Sequence, residues 1–536
     1  MFSKIVQKVI RIFMKKNFLS LLFVYSVFTM GSPFSQAAEI AWHKGSVEQA
    51  FAQAKLDHKP MLIYWGAIWC PPCEALKVQV FHETEFVATS QKFIMVFLDG
   101  DTQDAQIWGE KLGATGYPTL IVLNENGEEV QRLRAAQSAA GLTAELSQAG
   151  ENSKTIEQLL NEAVDEKNPE KISQQSWSRL VRHGWDYNPK WDGRKDELTK
   201  KLVTLSEKIP SAHTQEKTAF QLLVLKRRLA AVKPDEKIDE KQRLEGLELV
   251  TKIINDKNLT SQFKYELLSG ETFAKGFFPK PADDKIVMIR FVMSYRKALW
   301  QLAEDKSLTL QERGYVLSTI SELSSGGNVE YPSLSAIEVK KLKQALMKDL
   351  NSAKTTKERV VIFNVLPYTF KKIGAIDEAR KLILKYENKV GVKNLIYTLL
   401  ADLDMDEGQM DSALKWSEKA YTTSTGPATR TQWGNNYLQL LLEVAPERTA
   451  VVWEKTLQIV DEGLSVQDGL SGRSARSLNR LKTSVVAWAE KQKQTFPTDK
   501  LTLIEKNKCT GDSEFTKRCH EYIKGFAFAS NDGAKK

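Results

Sequence analysis

The sequence predicts an α/β domain near the amino terminus, followed by a large all-α region. Two apolar runs of buried-strand length, Met61–Trp65 and Phe93–Leu98, are separated by a helical stretch, as in a sheet with crossover helices. From Thr155 onward there is no convincing strand run, only amphipathic stretches of about 12–20 residues between Pro, Gly or Asn signals. Within this part, three anchor positions recur at a spacing of 34 residues, which is typical of helical hairpin repeats.

The composition is that of a globular chain with several domains. Its 536 residues suffice for two or more domains, since one domain takes about 100–200 residues. A hydrophobic content of 42% and a charged content of 27% exclude a disordered chain and a polytopic membrane protein. Four cysteines are too few for a scaffold held together by disulfides, so each pair needs its own explanation.

Residues 1–38 have the pattern of a secretory signal peptide. They contain five basic residues and no acidic residue. The apolar run Phe18–Met30 is shorter than the roughly 20 residues of a membrane-spanning helix. Small residues at Ala37 and Ala38 suit cleavage by signal peptidase. We therefore predict export to the periplasm of a Gram-negative bacterium, where disulfides persist. An uncleaved amino-terminal anchor is the alternative.

We assign residues 39–150 to the α/β domain. Ser46 is a suitable cap for a helix that extends to about Leu56, and the first apolar run follows it. The later predicted elements are a helix from Glu74, the strand 93–98, a helix over Gln103–Lys111, the strand Leu120–Leu123, the turn Asn124–Gly127 and a strand near Val130–Leu133.

The motif Trp69-Cys70-Pro71-Pro72-Cys73 directly follows the first apolar strand. It places Cys70 at the start of a helix, where unpaired N–H groups and the helix dipole favour a thiolate. Cys73 lies one turn further on, so Cys70 can attack a partner disulfide and Cys73 can resolve the mixed disulfide. A zinc site would need four ligands, and no second ligand pair is nearby, so we expect no metal. An inert structural disulfide remains the alternative.

Residues 46–135 resemble a thioredoxin-fold domain, nearest to the periplasmic carboxy-terminal domain of thiol:disulfide interchange proteins. The motif at Cys70 and Cys73, the sequence Tyr117-Pro118-Thr119 and the Asn-Glu-Asn-Gly hairpin carry the resemblance. It implies a central mixed sheet flanked by helices, and no cofactor. It also implies that Cys70 attacks, that Cys73 resolves, and that Pro118 is a cis-proline facing them. In this family the backbone at Tyr117 and Pro118 binds the substrate chain.

One position departs from the family pattern. Many thioredoxins have a buried Asp six residues before the first cysteine, and this chain has Tyr64 there. The usual proton acceptor for the resolving cysteine is therefore missing. Glu74, next to Cys73, is a candidate acceptor, with an exposed helix residue as the alternative. We expect Trp69 to shield the site and contact the partner, with plain packing as the alternative.

The helical region divides into three predicted parts. Residues 155–350 form a helical domain of unclear type, and residues 351–465 contain the repeat. The segments Gly374–Tyr386 and Gly408–Ala420 share a Gly, an Ala and a later anchor, as in tetratricopeptide-like (TPR-like) hairpins. Residues 466–536 form a helical carboxy-terminal segment. Such repeats favour an interaction surface, and a packing domain that only positions the α/β domain is the alternative.

Cys509 and Cys519 lie near the carboxy terminus, on either side of a Gly-Asp turn. In an exported protein this spacing favours a structural disulfide, worth about 2–3 kcal/mol by chain entropy. The alternative is that Cys509 and Cys519 form a second redox pair, which exchanges with Cys70.

Together these patterns predict an exported thiol–disulfide oxidoreductase whose helical region recruits protein partners. Its substrates would be protein disulfides or dithiols, and a separate membrane protein would supply electrons. The direction of transfer stays open, with the resemblance favouring a reductant. The alternative function is a periplasmic TPR-like scaffold with a redox-inert thioredoxin-fold domain.

The net charge does not support nucleic-acid binding. Of the formal +9, the signal segment carries +5. Residues 39–150 hold eight basic and 14 acidic residues, whereas residues 151–536 hold 63 basic and 53 acidic ones. The chain therefore joins an acidic α/β domain to a basic helical region, and we expect the two to attract each other or to select different partners.

Overall fold

A computed structural model of the chain describes residues 39–152, 154–232, 238–279, 284–324 and 331–531. The predicted signal peptide, residues 1–38, lies outside these ranges. None of the helices in the described ranges has the length and apolar character needed to cross a membrane.

The α/β domain alternates helices and strands as the sequence predicts. Its elements are helix α1 (Val47–Asp57), strand β1 (Met61–Gly66), helices α2 (Pro71–Gln79) and α3 (Thr84–Ser90), strand β2 (Ile94–Asp99), helix α4 (Ala105–Lys111), strands β3 (Thr119–Leu123) and β4 (Glu129–Leu133), and helix α5 (Ala139–Gly150). Helix α4 begins two residues later than predicted, because Asp104 before it adopts a left-handed backbone conformation with φ 62°.

The four strands form one mixed sheet in the order β2-β1-β3-β4. Strand β1 is parallel to β2 and antiparallel to β3, and β3 is antiparallel to β4. All six residues of β1 are buried, as expected for a central strand covered on both faces. The predicted mixed sheet with flanking helices is confirmed.

Alternate residues of β1 point to two separate cores. Leu62 and Tyr64 contact the core under α2, α3 and α5, which also contains both motif cysteines. Met61, Ile63 and Trp65 contact the core under α1. This alternation is the two-residue period of a strand, so the chemistry at Cys70 and Cys73 concerns one face of the sheet.

The rest of the described chain is helical, which confirms the predicted all-α region. Its helices are α6 (Ile156–Asp165), α7 (Gln174–Arg182), α8 (Lys195–Lys208), α9 (Thr214–Ala231), α10 (Glu240–Ile254), α11 (Lys257–Gln262), α12 (Gly270–Phe277), α13 (Lys285–Ala303), α14 (Leu310–Glu322), α15 (Ala336–Ser352), α16 (Thr356–Phe363), α17 (Leu366–Lys372), α18 (Ile376–Tyr386), α19 (Lys393–Asp406), α20 (Met410–Thr422), α21 (Pro427–Val444), α22 (Thr449–Gly463), α23 (Gly472–Gln492), α24 (Thr498–Lys508) and α25 (Glu514–Asn531). Short 3₁₀ turns occur at Pro169–Lys171, Trp185–Tyr187, Pro189–Arg194 and Glu266–Ser269.

The two repeated segments have the same local geometry. Gly374 follows α17 with φ 74°, and Gly408 follows α19 with φ 72°, conformations that favour glycine after a helix. Ala379 and Ala413, at matching positions of the next helices, are fully buried. The sequence also predicts a looser third unit, whose first helix would span Trp433–Glu443. That helix, α21, begins earlier, at Pro427. Proline suits the first position of a helix, and Gly426 before it has φ 87°.

Candidate active site

The motif cysteines lie where strand β1 leads into helix α2. Cys70 is the N-cap residue of α2, and its Sγ accepts a hydrogen bond from the backbone N–H of Cys73 at 3.4 Å. Pro71 and Pro72 occupy the first two helical positions, where no backbone N–H is needed. This local structure follows from the sequence order of apolar strand, short loop and helix start.

Both motif cysteines are free thiols and both are buried. Cys70 is 3% exposed and Cys73 is 0% exposed. A protein disulfide has to reach the sulfur of the attacking cysteine before it can exchange. The site as it stands is therefore closed to a large partner.

Burial opposes ionisation of the first cysteine. It raises the pKa of Cys70, and the neighbouring Cys73 thiol adds to this, against the lowering by the Cys73 N–H and by Arg473. Burial also raises the pKa of Cys73, but its interactions with Cys70, the Ala67 backbone and Tyr64 lower it on balance. The position of Cys70 at the start of a helix favours a lowered pKa, whereas its burial acts in the opposite direction.

Tyr64 and Glu74 are both buried beside the pair. Tyr64 is 1% exposed. Its hydroxyl is buried without a hydrogen bond among the described residues, and Cys73 acts on it electrostatically. Glu74 is 4% exposed and accepts a hydrogen bond from Lys77 Nζ at 2.8 Å. The alternative that Glu74 is an exposed helix residue is therefore wrong. Its second oxygen, Oε2, is buried without a hydrogen bond and lies 3.9 Å from Lys357 Nζ.

The Tyr117–Pro118 peptide bond is cis. The Tyr117 hydroxyl accepts a hydrogen bond from Gln106 Nε2 at 3.0 Å, which fixes the loop before β3. The Tyr117 ring packs against Trp65 at 4.3 Å and meets the edge of Trp69 at 6.0 Å between ring centroids. The loop that carries Pro118 is thus packed against the loop that carries the cysteines.

A cavity of about 510 Å³ borders this loop. Pro72, Tyr117 and Pro118 line it from the α/β domain, and Lys226 and Tyr265 line it from the helical region. Helices of the same polypeptide thus form the wall of the cavity that faces the loop of the α/β domain.

Helices α16, α21 and α23, here called the helical cover, pack over the α/β domain. Helix α16 lies against α2, and α23 lies against α4. Trp69 Nε1 donates a hydrogen bond to Thr429 Oγ1 at 2.6 Å, and its ring meets Trp433 at 5.7 Å. Asp101 accepts a hydrogen bond from the Thr429 N–H at 2.8 Å. Trp69, expected to contact a partner, is thus engaged by its own chain.

Helix α23 also brings a cation to the site. The Arg473 guanidinium lies over the Tyr117 ring, 4.9 Å from its centroid. Arg473 Nε donates to Gln432 Oε1 at 2.7 Å, and its backbone N–H donates to Gln106 Oε1 at 2.9 Å. Both thiols are among the groups that act electrostatically on this guanidinium.

Sequence reasoning missed these cover residues. Thr429 is 360 residues from Trp69, and no local pattern marks Thr429, Trp433 or Arg473 as part of a redox site. The only sequence feature that pointed to an interface was the opposite net charge of the two parts of the chain, and it did not identify the residues involved.

The second cysteine pair lies elsewhere. Cys509 and Cys519 form a disulfide in the core of the helical region, with exposed fractions of 6% and 0%. Cys70 and Cys73 belong to the core of the α/β domain. Across the described ranges, no group of three or more His, Cys, Asp and Glu residues could hold a metal ion.

Comparison with known proteins concerns the amino-terminal part of the chain. The sequence model of a family described as "Thioredoxin-like" matches residues 41–125. A solved structure titled "DsbH Oxidoreductase" matches with 20% identity over 24% of this chain and 98% of its own, at a TM-score of 0.20. No curated protein gives a significant match. Residues 41–125 are therefore a thioredoxin-like domain, which this chain joins to a large all-helical region.

Proposed function

We propose that the protein is an exported thiol–disulfide oxidoreductase that works in the periplasm. The observation that supports this most is Cys70 at the N-cap of α2, with Cys73 one turn away and both as free thiols. A helix N-terminus stabilises a thiolate, and the second cysteine is within reach to complete the exchange.

The proposed reaction begins when the Cys70 thiolate attacks a substrate disulfide. A new S–S bond forms between Cys70 and one substrate sulfur, and the other substrate sulfur leaves as a thiolate. Cys73, after losing its proton, then attacks Cys70 Sγ and releases the second substrate sulfur. The two cysteines end as a disulfide, and the substrate gains two electrons and the two protons that the dithiol gave up.

Repeated turnover needs a dithiol donor that reduces the Cys70–Cys73 disulfide again. For an exported protein we propose a membrane redox protein in this role. Run in reverse, the same exchange would oxidise dithiols, and the direction depends on the potentials of the partners.

The helical region is proposed to control which partners reach the dithiol. Its cover holds Trp69, next to the buried Cys70, through Thr429 and Trp433. A protein substrate therefore has to displace the cover, or to insert an extended segment through the cavity beside Pro118. In either case, the helical surface is where a partner would first bind.

A scaffold function is the second candidate, and one observation favours it. Cys73 is fully buried and Cys70 is nearly so, as expected for cysteines that have no redox function. In that case the helical region would bind partners and the thioredoxin-like domain would serve only as a folded platform.

A trapping experiment separates the two candidates. We would express the full chain with Cys73→Ala, recover it from the periplasmic fraction, and identify disulfide-linked partners by mass spectrometry. The oxidoreductase should accumulate mixed disulfides through Cys70, because the resolving thiol is gone. The recovered chain should begin at Ala38 or Glu39 if the signal peptide is cleaved as predicted.

The matched control is the same variant with Cys70→Ser added, which should trap nothing. A second control, Cys509→Ser with Cys519→Ser, removes the other pair and should leave trapping intact. Absence of mixed disulfides from Cys73→Ala, together with wild-type protein that fails to reduce a disulfide peptide, would favour the scaffold.

A further inference from the structure

Arg473 occupies an unusual place between the two parts of the chain. It is the second residue of α23, and the first turn of this helix is fixed to α4. The Gly472 N–H donates to Glu110 Oε2 at 2.9 Å, and the Arg473 N–H donates to Gln106 Oε1 at 2.9 Å. These bonds direct the guanidinium over Tyr117, the residue before the cis-proline.

The charge of Arg473 has no carboxylate partner among the described residues. The side chain is partly buried, and its only hydrogen bond among the described residues goes to the neutral amide of Gln432. The groups that act on its charge are Tyr117, Cys70, Cys73 and Arg480. A cation that is removed from water usually has an anion beside it, so an anion is expected to form here.

The other charges around the dithiol are already compensated. Glu74 accepts from Lys77 at 2.8 Å and lies 3.9 Å from Lys357. The titratable and charged groups that face the pair are Tyr64, Glu74, Lys77, Tyr117, Tyr315, Lys357 and Arg473. Within this group, Arg473 is the cation without a carboxylate.

We propose that Arg473, supplied by the helical region, is the counter-ion of the Cys70 thiolate. The active site is then built from both parts of the chain, and the thioredoxin-like domain alone lacks one of its charges. This proposal rests on the proposed function, since it assigns a role to Arg473 within the same exchange. Arg473 helps Cys70 to lose its proton, and the negative charge leaves with the substrate sulfur once the new S–S bond has formed.

The experiment measures ionisation of Cys70 without requiring turnover. In the full chain with Cys73→Ala, the thiolate absorbance of Cys70 is titrated against pH, and the Cys70→Ser, Cys73→Ala chain supplies the baseline. Adding Arg473→Met should raise the pKa of Cys70 by about one unit, equivalent to about tenfold less thiolate at neutral pH. Arg473→Lys keeps the charge and should restore most of the thiolate.

A merely structural role of Arg473 predicts the opposite sign. If Arg473→Met only loosened the interface, Cys70 would become more exposed and its pKa would fall, because burial is what raises it. The matched control is Arg476→Met on the same helix, which loses a bond to the Thr115 carbonyl at 2.9 Å. It should leave the Cys70 pKa unchanged or slightly lower.

An unchanged or lowered Cys70 pKa in Arg473→Met overturns the proposal, whatever the turnover of the parent protein. A raised pKa that Arg473→Lys reverses supports it. Failure of the proposed function shows separately, as a wild-type chain that reduces no disulfide and traps no partner.

Discussion

At the scale of single residues, the tyrosine at position 64, where many thioredoxins have a buried aspartate, most affects the proposed chemistry. A phenol can donate a hydrogen bond to the Cys73 sulfur, but it cannot take up a proton as a carboxylate can. Burial, and then the neighbouring Cys73, raise the pKa of Tyr64, so the hydroxyl stays protonated. Tyr64 is therefore suited to stabilising the Cys73 thiolate, and the proton has to leave by another group, for which the buried Oε2 of Glu74 is placed beside the pair.

We expect Tyr64→Phe to slow the resolving step while leaving the fold intact. Once Cys73 is ionised, the Tyr64 hydroxyl can donate to its thiolate, and losing a hydrogen bond to a charged group costs about 1.5–3 kcal/mol. The mixed disulfide should therefore live at least about tenfold longer. Rapid-quench measurement of the mixed disulfide with a peptide substrate tests this.

Tyr331→Phe is the matched control for Tyr64→Phe, because its hydroxyl is also buried without a hydrogen bond among the described residues. Its mixed disulfide should keep the wild-type lifetime. Equal lifetimes in Tyr64→Phe and wild type would show that the hydroxyl does not act on Cys73.

At the scale of elements, the helical region protects the outer edge of the sheet. Strand β4 is an edge strand, and its free backbone groups would attract other strands if they were exposed. The Arg132 N–H donates to His183 Nδ1 at 3.2 Å, and the Gly184 N–H donates to the Arg132 carbonyl at 3.1 Å. Arg179 donates to the Val130 carbonyl at 2.9 Å. The end of α7 therefore takes the place of a fifth strand.

His183 makes this junction sensitive to acid. Burial lowers its pKa from 6.5 to about 3, so folding favours the neutral ring. The stability that depends on neutral His183 is fully present above pH 6.5 and is lost as the pH falls toward 3. Between about pH 6.5 and pH 5 the loss should be about 2 kcal/mol.

The test compares thermal unfolding of wild type and His183→Asn across this pH range. Asn keeps an acceptor for the Arg132 N–H but takes up no proton, so its melting temperature should change less with pH. The exposed His58→Asn, whose ring is 79% exposed, should retain the wild-type pH dependence. A His183→Asn chain with the full wild-type slope would contradict the assignment.

Local signals were enough to predict most individual elements. The apolar periods predict helices over Thr155–Val164, Lys195–Lys208, Gln215–Val232 and Lys241–Ile254. Helix α8 has its predicted bounds, α6 and α9 are each displaced by one residue at both ends, and α10 begins one residue earlier than predicted. Caps and apolar periods act within a few residues, so they can be recognised in sequence. The starts of α4 and α21 differ because the backbone conformations of Asp104 and Gly426 are set by surroundings that local patterns do not describe.

At the scale of the whole molecule, polar contacts hold the acidic domain to the basic region. Arg518 Nη1 donates to Glu110 Oε1 at 3.0 Å, and the Gln106 N–H donates to Asp468 Oδ2 at 3.2 Å. Asp101 and Asp468 both lose solvent here, and burial raises the pKa of each carboxyl. The sequence predicts that the acidic domain and the basic region could attract each other. These contacts account for part of that attraction.

We expect Thr429→Val to loosen the cover above the cysteines. The change removes the acceptor for Trp69 Nε1 and leaves the Asp101 carboxylate with one donor fewer, at a cost of about 1–3 kcal/mol. A large maleimide should then alkylate Cys70 several-fold faster than in wild type, with a smaller change for iodoacetamide.

Thr456→Val is the control for this prediction, since the Thr456 hydroxyl donates only to the Val452 carbonyl of its own helix. It should not change either rate. If the large maleimide alkylated Cys70 at the same rate in Thr429→Val and Thr456→Val, the cover would not limit access to Cys70.

This interface is what the sequence could not predict. Strand β1 and the motif after it lie within about a dozen residues, so their chemistry is recognisable locally. Thr429 and Arg473 reach the site only through the path of the intervening helices, and that path depends on packing among many side chains. Neither residue belongs to a motif.

The burial of both motif thiols has a consequence for the export that we propose. In an oxidising compartment, exposed vicinal thiols would be converted to a disulfide by passing oxidants, whereas these sulfurs are 3% and 0% exposed. Under the proposed function, their oxidation would depend on how often the helical cover opens rather than on the ambient potential. The proposed oxidoreductase would then carry its reduced pair through an oxidising medium as a kinetically shielded store of two electrons, released where a partner opens the cover.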